Sequence, residues 1–172
     1  MRQSWLCGVC QFLVGVIVAA LVIHVWFIMG LVAPVIIEGS SMSPTLNESQ
    51  RTLVDRTAFS FRQPRRWEIV VFRSPEDAAQ LCVKRVAGLP RETVSLVGGN
   101  VLIDGQRIAN PRGVSYEIRY GDNSKLQTGW RLGPHEYFVL GDNGAISDDS
   151  RNWLSGPGVD AKLLVGRPLG VR

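Results

Sequence analysis

The sequence predicts a mainly β protein, with one N-terminal transmembrane helix followed by a single all-β domain. Three observations carry this expectation. Residues Leu6–Val32 are almost wholly apolar. After residue 40, short β-branched and apolar runs are separated by clusters of Gly, Pro, Asn and Asp. No amphipathic helical period survives for three turns in that part. The 172 residues suffice for one ordinary domain with a modest core.

The apolar run is broken only by Gln11, His24 and a few small residues. About 20 apolar residues cross a bilayer as a helix, so this run is long enough to span with some tilt. A cleavable secretory signal has a shorter apolar region and a small-residue cleavage site. Here the run continues into Ala33-Pro34-Val35-Ile36-Ile37, still apolar. It therefore reads as a retained anchor over residues 1–34, with the domain at 35–172. Arg2 and the amino terminus form the positive flank on the short side, which places the N-terminus in the cytoplasm and the domain beyond the membrane. The arginine excess after residue 50 counts for little, because long domains translocate largely regardless of charge. His24 is costly inside a span and belongs near a membrane edge or a partner helix.

The expected strands are Val35–Glu38, Thr52–Asp55, Glu68–Arg73, Leu81–Ala87, Thr93–Val97, Val101–Ile103, Ser115–Arg119, Tyr137–Leu140 and Leu163–Val165. Gly98-Gly99-Asn100 is a hairpin turn signal, and Asp104-Gly105 is another. The segment Phe59–Trp67 interleaves aromatics with arginines. It reads either as a loop resting on lipid head groups or as a polar loop whose aromatics turn inward. Cys7, Cys10 and Cys82 lack partners for a metal site or a disulfide within the domain and read as small apolar fillers. His135 follows Gly133-Pro134 in a turn and reads as solvated. The net charge is +4, from 19 basic and 15 acidic residues. The basic residues are scattered, as on a solvated surface rather than a nucleic-acid face.

Three stretches carry candidate chemistry. Glu38–Leu46 holds Ser40, Ser41 and Ser43 between a flexible glycine and a rigid proline, where a serine is a turn or cap residue or, less commonly, a nucleophile. Lys84 lies in Leu81–Pro90. As a strand, that segment puts Cys82, Lys84 and Val86 on one face, so the lysine has apolar neighbours. Only Lys84, Lys125 and Lys162 are lysines; every other fixed cation is arginine. A buried lysine amine loses its proton readily and can act as a base, which arginine cannot. The plainer reading is a lysine at a sheet edge with its amine in water. The third stretch, Gly141–Arg151, is a turn-rich loop after an apolar strand, with Ser147, Asp149 and Arg151 at alternating positions. It reads as a surface loop, or as one whose hydroxyl orients an amine and whose Asp/Arg pair braces it.

In order along the chain, Ser41-Met42-Ser43-Pro44-Thr45-Leu46, Trp67–Phe72, Lys84-Arg85-Val86-Ala87-Gly88-Leu89-Pro90 and the 141–151 loop resemble the boxes of type I signal peptidases, a family that includes the mitochondrial inner-membrane peptidase subunits. The resemblance covers the whole chain. It implies a membrane-bound serine endopeptidase that removes signal peptides from exported precursors, with a β-rich catalytic domain and no metal or organic cofactor. It assigns Ser41 as nucleophile, Lys84 as general base, Ser147 as the residue orienting that lysine, and Asp149 and Arg151 as braces. Met42 matches a structural residue beside the nucleophile. The Ser–Lys pair is a variant of triad logic, working through an acyl-enzyme. The oxyanion donors would be the Ser41 backbone N–H and a second group, with Ser40 the candidate, because Gly39 stands where some members carry a serine. The implied partners are precursors with Ala-x-Ala sites, the lipid bilayer and, in some relatives, a second subunit; nucleic acid is not among them. The implied location is a plasma (inner) membrane crossed once, or alternatively the mitochondrial inner membrane.

Other departures are Trp67-Glu68 in place of a glycine–aspartate pair, Arg91 where glycine is common, and Gly144 and Ile146 for the usual arginine and asparagine. The stretch from Lys84 to Ser147 leaves little room for the large extra β-subdomain of some relatives. A relative with few substrates remains within the same enzyme class. A catalytically silent β-domain that binds exported chains or a partner subunit is the alternative of another class, and the retained serine, lysine and orienting serine speak against it. A cytoplasmic Ser–Lys self-cleaving repressor fails on the anchor and on the lack of a DNA-binding helix pair.

Overall fold

Apolar residues without a polar stripe open the chain, and Arg2–Leu31 form one helix, α1, of 30 residues. At 1.5 Å per residue it is about 45 Å long. The computed structural model describes residues 2–116 and 124–171 and, within them, the side chains of 12–26, 30–116 and 126–171. On α1 the described side chains of 12–26 are all exposed, from Phe12 to Trp26, with His24 among them. Among the described residues no helix is long and apolar enough to cross a membrane. The span expected over Leu6–Val32 extends beyond the described side chains of α1, and Cys7 and Cys10 lie outside them.

The helix passes directly into β1 (Val32–Ile36), ahead of the expected start at Val35. The strands that follow are β2 (Arg51–Asp55), β3 (Ile69–Arg73), β4 (Leu81–Gly88), β5 (Thr93–Val97), β6 (Asn100–Ile103) and β7 (Gln106–Arg107). After a one-turn helix α2 (Ser124–Thr128) come β8 (Trp130–Arg131), β9 (Glu136–Leu140), β10 (Val159–Asp160) and β11 (Leu164–Pro168). They build two sheets, one of seven strands in the order β1-β2-β11-β3-β4-β9-β10 and one of four in the order β7-β6-β5-β8. Every pairing among the described residues is antiparallel.

Position in the sheet explains the residue pattern of each strand. β3 is central, and Ile69, Val70, Val71 and Phe72 are all buried, as a strand covered on both faces requires. β5 and β6 alternate because one face packs on the core and the other meets water. β1 is an edge strand, which tolerates Pro34 and its missing N–H. Both hairpin signals form two-residue turns with positive φ at each central residue. These are Gly98 and Gly99 at 53° and 75°, and Asp104 and Gly105 at 49° and 80°.

β7, β8 and β10 have two residues each, too short to show alternation, and were not foreseen. Ser115 and Tyr116 are not in a strand, and the rest of the expected strand Ser115–Arg119 lies outside the described residues. Three apolar clusters result. One, with Ala87, Val94, Leu96, Phe138 and Leu140, joins β4 and β9 to the small sheet. A second holds Val70, Phe72, Val86, Val139 and Trp153. The third, Ile37, Met42, Leu46 and Ile69, lies under the connection from β1 to β2.

Candidate active site

That connection presents Ser41. Its ends are pinched by the Ile37 N–H to the Gln50 carbonyl, at 2.9 Å, and by the Ser49 N–H to the Ile37 carbonyl, at 2.8 Å. Within it, one helical turn is closed by the Leu46 N–H to the Met42 carbonyl at 3.0 Å. Met42 and Leu46 point into the third cluster, 1% and 0% exposed, so the half-buried Ser41 is held at the surface of the sheet beside them. The Ser43–Pro44 peptide bond is cis. Gly39 has φ of +76°, a conformation that costs a residue with a Cβ about 1–2 kcal/mol. Glycine suits that conformation in this chain.

Lys84 rises from the middle of β4, paired with Val70 of β3, and is 5% exposed. Its Nζ lies 2.6 Å from the Oγ of Ser41. Burial pushes the amine below the ordinary lysine range; the negative charges of Asp149 and Asp148 work against that shift without cancelling it. The sheet-edge reading of Lys84 therefore does not hold, because β4 is an interior strand.

The 141–151 loop is a buried structure rather than a surface turn. Arg151 and Asp149, both 0% exposed, form a two-pronged pair with Nε–Oδ1 at 2.7 Å and Nη2–Oδ2 at 3.0 Å. Arg151 also donates to the carbonyls of Gly144 and Ser147, at 3.0 and 3.1 Å, and its guanidinium lies over the Tyr116 ring. Asp149 accepts from the Gly141 N–H at 3.0 Å. One ion pair thus closes the whole loop. Ser147 is 3% exposed, yet its hydroxyl has no hydrogen-bond partner among the described residues. The expected bond to Lys84 is not made, although Ser147 packs beside the serine turn. A Cβ built on Gly141 would lie 2.1 Å from the Ser147 Oγ and 2.5 Å from the Ser41 carbonyl oxygen. The Ser41 N–H donates to no protein acceptor among the described residues, and the hydroxyl of the half-buried Ser40 is likewise unbonded.

A second brace escaped the sequence reading. Arg85, next to Lys84 and 4% exposed, holds Asp142 with both prongs, Nε–Oδ1 at 2.8 Å and Nη2–Oδ2 at 2.7 Å. Its third nitrogen donates to the Trp67 carbonyl at 2.7 Å. The Thr45 hydroxyl donates to the same Asp142 carboxylate, which ties the serine turn to the loop and to β4. Asn143 adds its backbone N–H to the Ser41 carbonyl at 2.9 Å and its side-chain amide to the Ser40 carbonyl at 3.3 Å. The signal was present: an arginine inside an apolar strand needs a buried counter-charge.

The other departures also have causes. Trp67 and Arg91 stand at φ of 65° and 69°, left-handed positions that suit glycine. At Gly144 a Cβ would come within 2.6 Å of Val114 Cγ1 and 2.7 Å of the Ser115 carbonyl oxygen, so the chain at 114–116 excludes a larger residue. Ile146 is exposed and lines a cleft of about 610 Å³ that also reaches Ser41 and Lys84. Among the described residues no three His, Cys, Asp or Glu side chains are grouped to hold a metal ion. The chemistry available is a serine hydroxyl against an amine whose burial favours the neutral form, at the edge of that cleft.

Known proteins resemble this sequence. The pattern of the family described as signal peptidase, peptidase S26, matches residues 10–169. Signal peptidase I V of Bacillus subtilis is 32% identical over 162 residues, 82% of this chain and 94% of that protein. Signal peptidase I of Leptolyngbya laminosa is 38% identical over 125 residues, 68% of this chain and 58% of that protein. A crystal structure of a signal peptidase I from Enterococcus faecalis aligns with a TM-score of 0.48 at 28% identity, covering 62% of this chain and 97% of that one. With its family pattern running almost end to end, the chain belongs to the signal peptidase family, peptidase S26, and is a serine endopeptidase.

Proposed function

We propose that this enzyme is a membrane-anchored signal peptidase that cuts exported precursors after Ala-x-Ala sites through a Ser41–Lys84 dyad. The observation that carries this reading is the 2.6 Å contact between the Ser41 hydroxyl and a buried lysine amine whose pKa is lowered by that burial. Neutral Lys84 accepts the Ser41 proton as Oγ attacks the scissile carbonyl. The Ser41 N–H, without an acceptor among the described residues, donates to the oxyanion, with the Ser40 hydroxyl as the second donor. Collapse expels the amine of the mature chain, which takes the proton from the Lys84 ammonium. Lys84 then deprotonates a water that hydrolyses the ester. Ser147 has an unused hydroxyl beside the serine turn, and its role is to orient the Lys84 amine. Asp149 and Arg151 keep the loop closed around it.

Residues 1–34 form the anchor, spanning the bilayer once with the N-terminus in the cytoplasm, and 35–172 the catalytic domain on the outer side. The membrane is a plasma membrane, with the mitochondrial inner membrane as the alternative. Support comes from the exposed described side chains of α1, apolar from Phe12 to Trp26 except for His24, and from the Arg56 N–H, which bonds the Leu31 carbonyl at 2.9 Å and ties the domain to the helix end. Phe61, five residues beyond, is 98% exposed. Phe59 and Trp67 instead pack against the core clusters, so two of that loop's three aromatics turn inward and Phe61 is the one placed to meet lipid.

The test is cleavage of a precursor with an Ala-x-Ala site by the detergent-solubilised chain, run beside Ser41→Ala and Lys84→Ala. Cleavage that both substitutions abolish in folded protein is expected. Cleavage that survives Ser41→Ala would refute the assignment.

A further inference from the structure

The cleft that reaches Ser41 and Lys84 differs in charge from the rest of the molecule. The chain carries +4 overall, with 19 lysines and arginines, yet among the described residues no arginine lines this cleft. Its charged lining residues are Lys84, Glu38 and Asp148. Glu38 stands three residues before Ser41 on one wall, and Asp148 stands between the buried Ser147 and Asp149 on the loop that holds the dyad. Alternation along 147–149 turns Ser147 and Asp149 inward and leaves Asp148 exposed to the cleft. Neither carboxylate has a salt-bridge partner among the described residues, whereas Glu68, Glu92, Asp142 and Asp149 all do.

We propose that Glu38 and Asp148 make this cleft cation-selective, so that the enzyme prefers precursors with a lysine or arginine close to the scissile bond. The inference rests on the dyad reading above and adds a substrate class to it. With Lys84 neutral, as burial favours and as its role as base requires, Glu38 and Asp148 give the cleft negative charge and no fixed cation among its described lining residues offsets it. Focusing by a cleft strengthens such a field for an extended peptide. A pair of opposite unit charges about 6 Å apart in a water-like dielectric changes binding about threefold. Exchanging lysine for glutamate reverses the sign as well, so the expected discrimination is about tenfold.

The experiment compares kcat/KM for peptides with a constant Ala-x-Ala site carrying Lys, Gln or Glu in turn at three places: the x position and the first and second residues after the cut. The full detergent-solubilised chain is used, with Ser41→Ala as the check that cleavage is its own. In the wild type at least one position should show the order Lys, Gln, Glu, with about tenfold between the ends. That ratio should shrink in high salt, where the screening length falls to about 3 Å at 1 M. It should also collapse to within about twofold in the Glu38→Gln/Asp148→Asn double variant. Equal rates for Lys and Glu peptides at all three positions, with Ser41-dependent cleavage intact, would overturn this inference and leave the dyad reading standing. A lysine preference that persists undiminished in the double variant would also overturn it. No cleavage of any peptide, the Gln series included, would overturn both.

Discussion

The Arg85–Asp142 pair allows a quantitative test of how the active-site turn is held. Replacing Asp142 by alanine removes two charge-assisted hydrogen bonds of 2.8 and 2.7 Å and leaves Arg85, 4% exposed, buried without its counter-charge. Breaking one side of a buried pair costs about 3–5 kcal/mol. For a chain of this size about 1 kcal/mol corresponds to about 2–4 °C, so the melting temperature should fall by about 6–20 °C. The Thr45 hydroxyl loses the same acceptor, and a displaced serine turn should reduce kcat/KM about 10- to 100-fold. Thermal unfolding by near-UV circular dichroism on the detergent-solubilised chain reads the first effect and precursor cleavage the second.

The sign with pH follows from the same contacts. Burial raises the Asp142 carboxyl, but the bonds from Arg85 and Thr45 and the Arg85 charge outweigh it, so its pKa lies below the ordinary aspartate range. The stabilisation is therefore complete above the unfolded value of about 3.9 and is lost as pH falls through the folded value. The gap between wild type and Asp142→Ala should close in that acid range. An Arg85→Met/Asp142→Leu double variant, with no buried charge left, should recover most of the lost stability while remaining impaired in cleavage. A melting temperature lowered by less than about 2 °C in Asp142→Ala, or a double variant no more stable than the single one, would refute this account.

Lys84→Arg keeps the charge but cannot accept a proton at working pH, and should be folded and inactive in the cleavage assay. In the wild type, kcat/KM should fall on the acid side as Lys84 protonates, with a midpoint below the ordinary lysine range. Asp148→Asn removes a charge that favours the ammonium, so it should move that midpoint further down in a pH–rate profile. Gly141→Ala puts a methyl 2.1 Å from the Ser147 hydroxyl and 2.5 Å from the Ser41 carbonyl oxygen, and should cost at least about 100-fold in cleavage rate. Arg91→Gly relaxes an exposed left-handed residue and should gain about 0.5–1 kcal/mol, seen as a rise of about 1–4 °C in the melting temperature. Trp67→Gly should be destabilising despite the same relief, because Trp67 packs on the larger core cluster.

Most strands were legible because each is a local pattern. Runs such as Ile69–Arg73 and Thr93–Val97 state their own burial, and Gly98-Gly99 and Asp104-Gly105 state their own turns. The two-residue strands β7, β8 and β10 were not legible, because a pairing that short is decided by the neighbour it meets. The Ser41, Lys84 and 141–151 boxes were visible as motifs, since serine turn, lysine in an apolar strand and loop each have a local signature. What the sequence alone determined was therefore the set of candidate groups and the β character of the part of the chain carrying them. Whether Lys84 sat at a wet sheet edge or deep beside Ser41 depended on strand order, which no local pattern encodes; β9 covering the far side of β4 decided it. The Arg85–Asp142–Thr45 brace joins segments up to 97 positions apart, and only the folded chain set its distances. Hydrogen bonds and ion pairs form within about 3 Å, and sequence separation carries no information on that scale.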